Sequence, residues 1–145
     1  LRAESFYNVA TNIDELDRET PLGPRLIDSY GGRSMHAQSH GESFLSLVVN
    51  RFGGQGLYLL DEPEAALSVT GQLALLARIR ALVRAGSQFI IASHSPILTA
   101  YPGAVIYRFS QTGVEHVSYR ETDAYVLTRQ FLNNPDRMFR ELFEE

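Results

Sequence analysis

The spacing of hydrophobic residues predicts helices alternating with buried strands through the middle of the chain. Between residues 42 and 52 the apolar side chains recur at helical spacing, on a face formed by Phe44, Leu45, Val48, Val49 and Phe52. The segment from Leu57 to Leu60 is apolar without interruption, which is typical of a strand buried on both faces of a parallel sheet. A second strand of this kind is predicted over residues 88–92.

Between these strands the pattern predicts a helix over about residues 70–85. Its inner stripe is expected to consist of Leu75, Leu76, Ile79, Leu82 and Val83, with Gly86 as the C-terminal cap. Three arginines on the same helix are expected to coat its solvent face and to offset the negative end of its own dipole: Arg78, Arg80 and Arg84.

The two ends of the chain carry weaker patterns. A short helix is predicted over residues 5–16, and Ser95 followed by proline indicates the start of another helix. Strands over 104–109 and 114–119 are predicted to form a hairpin, and residues 123–143 are predicted to form two helices. The order of elements predicts an α/β fold, with a layered, mostly parallel sheet, flanking helices, and a C-terminal hairpin and helices.

Composition excludes several classes of function. The chain has 145 residues, a net charge of −4 and no cysteine, so disulfides and thiolate chemistry are excluded and a reducing, cytoplasmic setting is expected. The positive charges are scattered, which gives no footprint for nucleic acid, and no apolar run is long enough to predict a membrane span. All 13 basic residues are arginine, so a phosphate-binding loop that ends in Gly-Lys-Ser/Thr is absent from this sequence.

Candidate chemistry is concentrated after the two predicted parallel strands. Asp61 and Glu62 follow the first strand and His94 follows the second, at the carboxyl ends where α/β sheets bind ligands. One carboxylate could hold magnesium through water while its neighbour activates a nucleophile. The alternatives are a solvated strand end for the two carboxylates and a core histidine bonded to backbone for His94.

The residues around these side chains resemble a known family. Leu57–Leu67 resembles the Walker B strand and following loop of ATP-binding-cassette and chromosome-maintenance ATPases, and Ile90–Pro96 resembles their switch-histidine segment. The resemblance implies ATP and Mg²⁺ as cofactors. It implies that Asp61 binds the magnesium through water, that Glu62 is the general base for the attacking water, and that His94 contacts the γ-phosphate.

A third segment resembles the family's Ser-Gly-Gly-Gln signature less closely. Ser39 and Gly41 keep the signature positions, whereas His40 replaces a glycine and Glu42 replaces the glutamine. In the family this segment grips the nucleotide of a partner subunit, and a helix N-terminus suits phosphate. Glu42 either faces away from that site or changes how it binds nucleotide, and the alternative for the whole segment is an ordinary capped helix start. Ser68 stands where the family usually has an aspartate in the loop that crosses the dimer interface. The resemblance implies that Ser68, like residues 39–42, contacts nucleotide.

The resemblance covers residues 38–109, between a helical or loop segment at 1–37 and the hairpin and helices at 110–145. It implies the C-terminal part of one P-loop ATPase domain, which alone is inactive and needs an N-terminal half with the phosphate-binding loop. It also implies a head-to-tail homodimer, and Glu64 favours the soluble chromosome-maintenance and recombination-repair branch. Nucleic acid or another protein stays open as a further partner. The alternatives are a non-catalytic dimerisation module and the nucleotide-binding subunit of a transporter.

Overall fold

A computed structural model describes residues 39–143, together with the isolated positions 12, 15, 16 and 28. The elements in chain order are helix α1 (His40–Arg51), strand β1 (Leu57–Asp61), a 3-10 turn (Pro63–Ala66), helix α2 (Val69–Arg84), strand β2 (Gln88–Ala92), strand β3 (Ile106–Ser110), strand β4 (Gly113–Val117), a 3-10 turn (Tyr119–Glu121), helix α3 (Asp123–Asn133) and helix α4 (Pro135–Phe143). These elements divide into two compact units, one up to residue 93 and one from residue 94 onward. The helix predicted over residues 5–16 lies almost entirely outside the described residues.

The first unit is built on a parallel pair of strands, β1 and β2. Their register runs from Leu57 opposite Gln88 to Asp61 opposite Ala92. Because α2 joins the strands, this is a strand, helix, strand unit, and the predicted α/β class is confirmed. The larger layered sheet is not confirmed, since the described residues form one parallel pair and one antiparallel pair.

Helices α1 and α2 supply most of the core of this unit. Phe44 and Val48 of α1 and Leu75 of α2 are completely buried. On α2 the predicted stripe is confirmed for Leu75, Ile79 and Leu82, whereas Val83 is 38% exposed, contrary to expectation. Val83 lies one residue beyond this stripe, so the helical rotation carries it to the stripe's edge. Gly86 has the left-handed conformation expected after a helix C-terminus, with φ of 89°.

The prediction that β1 is buried on both faces is wrong for the described structure. Leu57 and Leu59 are 59% and 58% exposed, and Ile90 of β2 is 55% exposed, while Leu60 on the opposite face is 2% exposed. Alternate strand residues point to opposite faces of the sheet, and the packing among the described residues lies on the face that carries Leu60. On that face the Phe52 ring stacks on Tyr58 at 4.1 Å, and Tyr58 contacts Phe89.

The expected role of Arg78 also needs correction. Its Nη2 atom donates hydrogen bonds to the backbone oxygens of Val49 and Phe52, at 2.9 and 2.7 Å. The guanidinium therefore caps the C-terminal end of α1 instead of offsetting the dipole of its own helix. Isolated carbonyls at a helix end attract a cation, and Arg78 is half-buried between the two helices that provide the core.

The second unit contains the predicted hairpin and helices. Strands β3 and β4 are antiparallel, with Ile106 opposite Val117 and Ser110 opposite Gly113, so the hairpin is confirmed. Helices α3 and α4 confirm the predicted division of the tail. The helix predicted after Ser95 is wrong, because residues 96–100 form only turns.

Ser95 nevertheless caps these turns. Its Oγ accepts hydrogen bonds from the N–H groups of Ile97 and Leu98, at 3.0 and 3.2 Å. Pro102 limits how far a helix could run from this start, since proline lacks an N–H and disfavours helical conformation in the residue before it. No helix in the part of the chain that the structure describes is long and apolar enough to cross a membrane.

Candidate functional site

Asp61 and Glu62 lie where strand β1 ends. Asp61 is the last residue of the strand, paired with Ala92 of β2, and it is half-buried. Glu62 is the first residue after the strand and is exposed. A carboxylate oxygen at this position is a hard donor of the kind that magnesium prefers, so the residue type fits a magnesium ion bound through water. No group of three or more His, Asp or Glu side chains that could enclose a metal is found among residues 39–143 or the four isolated described positions.

The backbone of Glu62 is strained. Its φ and ψ angles are 47° and 51°, in the left-handed region that residues with a side chain seldom adopt. This conformation costs about 1–2 kcal/mol for a residue other than glycine. Strain of this kind is retained where surrounding structure enforces it, and it is concentrated at functional sites. The strain was not predicted from the sequence, and Pro63 gave no signal for it, because a proline favours extended backbone in the residue before it.

Hydrogen bonds on both sides hold Glu62 in this conformation. Its N–H donates to the backbone oxygen of Ala92 at 2.9 Å, which extends the ladder between β1 and β2 by one residue. Its own carbonyl oxygen accepts from the N–H of Ala65 at 3.0 Å, which closes the 3-10 turn. Pro63 is buried at the start of that turn. The strand ladder and the turn together fix the direction in which the Glu62 side chain leaves the sheet.

Ser68 ends the segment after Glu62 as the N-cap of α2. Its Oγ accepts a hydrogen bond from the N–H of Gly71 at 3.1 Å and lies 2.9 Å from the hydroxyl of Thr70. An N-cap serine satisfies one of the helix's unpaired N–H groups. The predicted contact of Ser68 with nucleotide stays a prediction.

Ser39 and Glu42 form a reciprocal capping box at the start of α1. The Glu42 Oε2 atom accepts hydrogen bonds from the N–H and the hydroxyl of Ser39, at 3.0 and 2.8 Å, and the N–H of Glu42 donates to Ser39 Oγ at 3.3 Å. Such a box is the usual pairing of Ser with Glu at a helix N-terminus. The Glu42 carboxylate therefore turns back onto Ser39 and does not face away from the helix end. Binding of nucleotide by Ser39, His40, Gly41 and Glu42 stays a prediction.

The structure brings two of the predicted segments into contact. Gly41, in the first turn of α1, lies against the 3-10 turn that follows Glu62: a Cβ atom on Gly41 would be 2.7 Å from the backbone oxygen of Ala66. The segment 39–42 and the carboxylates of Asp61 and Glu62 thus belong to the same compact unit. His94 is exposed and is the first residue of the second unit. Its predicted place beside Asp61 and Glu62 stays a prediction.

Comparison with known proteins supports the resemblance at the level of the family. The cobalt import ATP-binding protein CbiO of Salmonella typhimurium is 33% identical over 95 residues, which cover 63% of this chain and 35% of that protein. The proteins of the same name from Salmonella paratyphi A and Salmonella typhi give the same values. This chain thus spans about a third of the length of the curated relatives it matches.

No protein-family model matches the chain, and no solved structure matches it. The similarity therefore supports a distant relation to ATP-binding subunits of the ATP-binding-cassette type. It does not support the assignment to the chromosome-maintenance branch, which Glu64 favoured.

Proposed function

We propose that this chain is the C-terminal part of an ATP-binding-cassette ATPase domain and that it supplies the residues that activate water for ATP hydrolysis. The main support is the strained Glu62 directly after Asp61, at the carboxyl end of a parallel strand. Enzymes place ligands at this end of the strands in α/β sheets, and they retain backbone strain where a side chain has to be aimed. The similarity to an ATP-binding protein gives independent support.

In this proposal each candidate residue has one role. Asp61 would hold magnesium through water, and the magnesium when bound neutralises charge on the β- and γ-phosphates. Glu62 accepts the proton of the attacking water, which needs a carboxylate aimed at that water. His94 contacts the γ-phosphate. Ser39, His40, Gly41, Glu42 and Ser68 face the nucleotide of a second domain, in a head-to-tail homodimer.

The proposal requires residues beyond this sequence. Phosphoryl transfer depends on a phosphate-binding loop and its lysine, and the sequence contains no lysine. We therefore propose that an N-terminal half supplies that loop and that residues 1–145 alone do not hydrolyse ATP. We also propose that the complete protein belongs to the soluble, cytoplasmic branch of the family, which Glu64 favours.

Calorimetry of Mg²⁺-ATP binding tests this division of the site. The comparison is between residues 1–145 and the full-length product of the gene. We expect binding only by the full-length protein. Binding of equal strength by residues 1–145 would contradict the division, and no binding by either would favour the non-catalytic dimerisation module.

A second candidate is the nucleotide-binding subunit of an importer, since the matched relatives are named as cobalt import proteins. Cell fractionation of the tagged full-length protein separates the two candidates. Recovery with the membranes, lost when the membrane fraction is washed with detergent, would favour the importer. Recovery in the soluble fraction would favour the soluble ATPase.

A further inference from the structure

The turn that follows Glu62 is held between a strand end and a helix. On one side, the Glu62 N–H is bonded to the backbone oxygen of Ala92, and the Glu62 carbonyl oxygen is bonded to the N–H of Ala65. On the other side, the last residue of the turn, Ala66, has its carbonyl oxygen against Gly41 of α1. Leu67, the next residue, is 8% exposed and packs near Gly41. The turn therefore has no room to shift toward α1.

Gly41 permits this contact because it has no side chain. A Cβ atom there would lie 2.7 Å from a backbone oxygen, closer than van der Waals contact allows, and a backbone atom in a closed turn cannot rotate away. Helix α1 cannot easily retreat either, because Arg78 bonds the oxygens of Val49 and Phe52 at its other end. The contact with Gly41 thus fixes Ala66, the last residue of the turn. The strained Glu62 lies at the start of the same turn.

We propose that Gly41 is a positioning residue for Glu62: its close contact with Ala66 seats the turn that keeps Glu62 in the left-handed conformation. The first turn of α1 and the backbone of Glu62 then move together. The functional meaning of this coupling rests on the proposed role of Glu62 as the base. With that role, any ligand that displaces Ser39 or Gly41 would also re-aim the carboxylate that activates water.

The direct test is an NMR measurement on isotope-labelled residues 1–145 without nucleotide. The HN–Hα coupling and the Cα chemical shift of Glu62 report its φ angle. In Gly41→Ala we expect the coupling and the chemical shift of Glu62 to change from the values typical of left-handed backbone. The matched control is Gly53→Ala, since a Cβ on Gly53 meets no atom within 4 Å, and there Glu62 should keep the wild-type values. A folded Gly41→Ala chain with unchanged Glu62 signals would overturn the proposal.

A double-mutant cycle covers the case in which Gly41→Ala fails to fold. Glycine at position 62 tolerates any backbone conformation, so Glu62→Gly should absorb part of the displacement. If Gly41→Ala alone is unfolded, the double mutant with Glu62→Gly should regain a measurable folded fraction. If Gly41→Ala folds, it should lower the folding equilibrium constant less in the Glu62→Gly chain than in wild type, by about threefold or more. Equal losses in the two backgrounds, or a double mutant that also stays unfolded, would overturn the proposal.

The full-length protein tests the functional consequence. If misplacement of Glu62 is the cause, Gly41→Ala should lower kcat for ATP by about 10- to 100-fold with a smaller change in KM, and Gly53→Ala should leave both unchanged. A raised KM with unchanged kcat would contradict the positioning role. Absence of ATP hydrolysis in the wild-type protein would instead contradict the proposed function, and the NMR result would still decide whether Gly41 positions Glu62.

Discussion

The two compact units differ in how much of their apolar surface is buried. In the first, Phe44, Val48 and Leu75 are completely enclosed between α1, α2 and the strand pair. In the second, helices α3 and α4 bury no residue, and Phe143 is 75% exposed. Ser39, Asp61 and Glu62 all lie in the densely packed unit. A dense core can enforce a strained backbone, so the difference indicates why the left-handed Glu62 is found there.

The largest expected effect is a difference in the free energy of unfolding when phenylalanine is replaced by alanine in each of the two units. Phe44→Ala should lower the free energy of unfolding by about 3–5 kcal/mol, because it leaves a cavity in the core of the first unit. Phe109→Ala, at a position of β3 that is 79% exposed, should change it by about 0.5 kcal/mol or less. Urea denaturation followed by circular dichroism measures both. Losses of similar size would contradict the difference in packing between the units.

The next largest effect concerns the bond between α1 and α2. Arg78→Ala should destabilise the chain by about 1.5–3 kcal/mol, since it removes charged hydrogen bonds to carbonyls at the end of α1. Arg80 is exposed on the same helix, and Arg80→Ala is the matched control. Urea denaturation should show little change for the control. An equal loss for Arg80→Ala would show that charge on α2 matters and that the cap on α1 does not.

A smaller change, which raises the free energy of unfolding, is expected for substitution of the strained Glu62. Glu62→Gly should stabilise the chain by about 0.5–1 kcal/mol, because relief of left-handed strain outweighs the greater freedom of glycine in the unfolded chain. Gln55 also has positive φ, 62°, so Gln55→Gly should stabilise similarly. In the full-length protein only Glu62→Gly should abolish ATP hydrolysis. Destabilisation by Glu62→Gly would argue that its side chain supports the fold.

The smallest effect is a pH dependence in the second unit. Hydrogen bonds from the side chain and backbone of Ser118 lower the pKa of Glu121 below its ordinary value of 4.5. Because the folded pKa is the lower one, the carboxylate stabilises the fold above pH 4.5 and that contribution is lost as the pH falls through the folded pKa. NMR titration should find the lower pKa in wild type, and Ser118→Ala should move it toward 4.5. An unchanged pKa would contradict the assigned cause.

Local patterns predicted most elements of the fold. The α2 helix was predicted from its period and its glycine cap, and strand β2 from an uninterrupted apolar run. The β3–β4 hairpin and the two C-terminal helices were predicted from the turn residues between them. A limit on the length of any helix after Ser95 could also have been predicted, since Pro102 follows closely. These features depend on residues near in sequence.

The features that were not predicted depend on contacts between distant residues. The exposed face of β1 depends on how many elements pack against the strand pair, which hydrophobicity along β1 does not encode. The strain of Glu62 needs the hydrogen bond to Ala92, and the role of Arg78 needs the end of α1 nearby. The candidate residues could be found because the motif is local, whereas the contact of Gly41 with Ala66 required the structure.

Magnesium-dependent ATP hydrolysis by the full-length protein tests the central claim most directly, with Glu62→Gln compared to wild type. The amide keeps the shape of the side chain without its basicity, so we predict that ATP binding is retained and that turnover falls at least about 100-fold. Glu64→Gln, two residues along the same segment, is the matched control for loss of a carboxylate. Turnover by Glu62→Gln equal to that of wild type would contradict the assignment of Glu62 as the base that activates water.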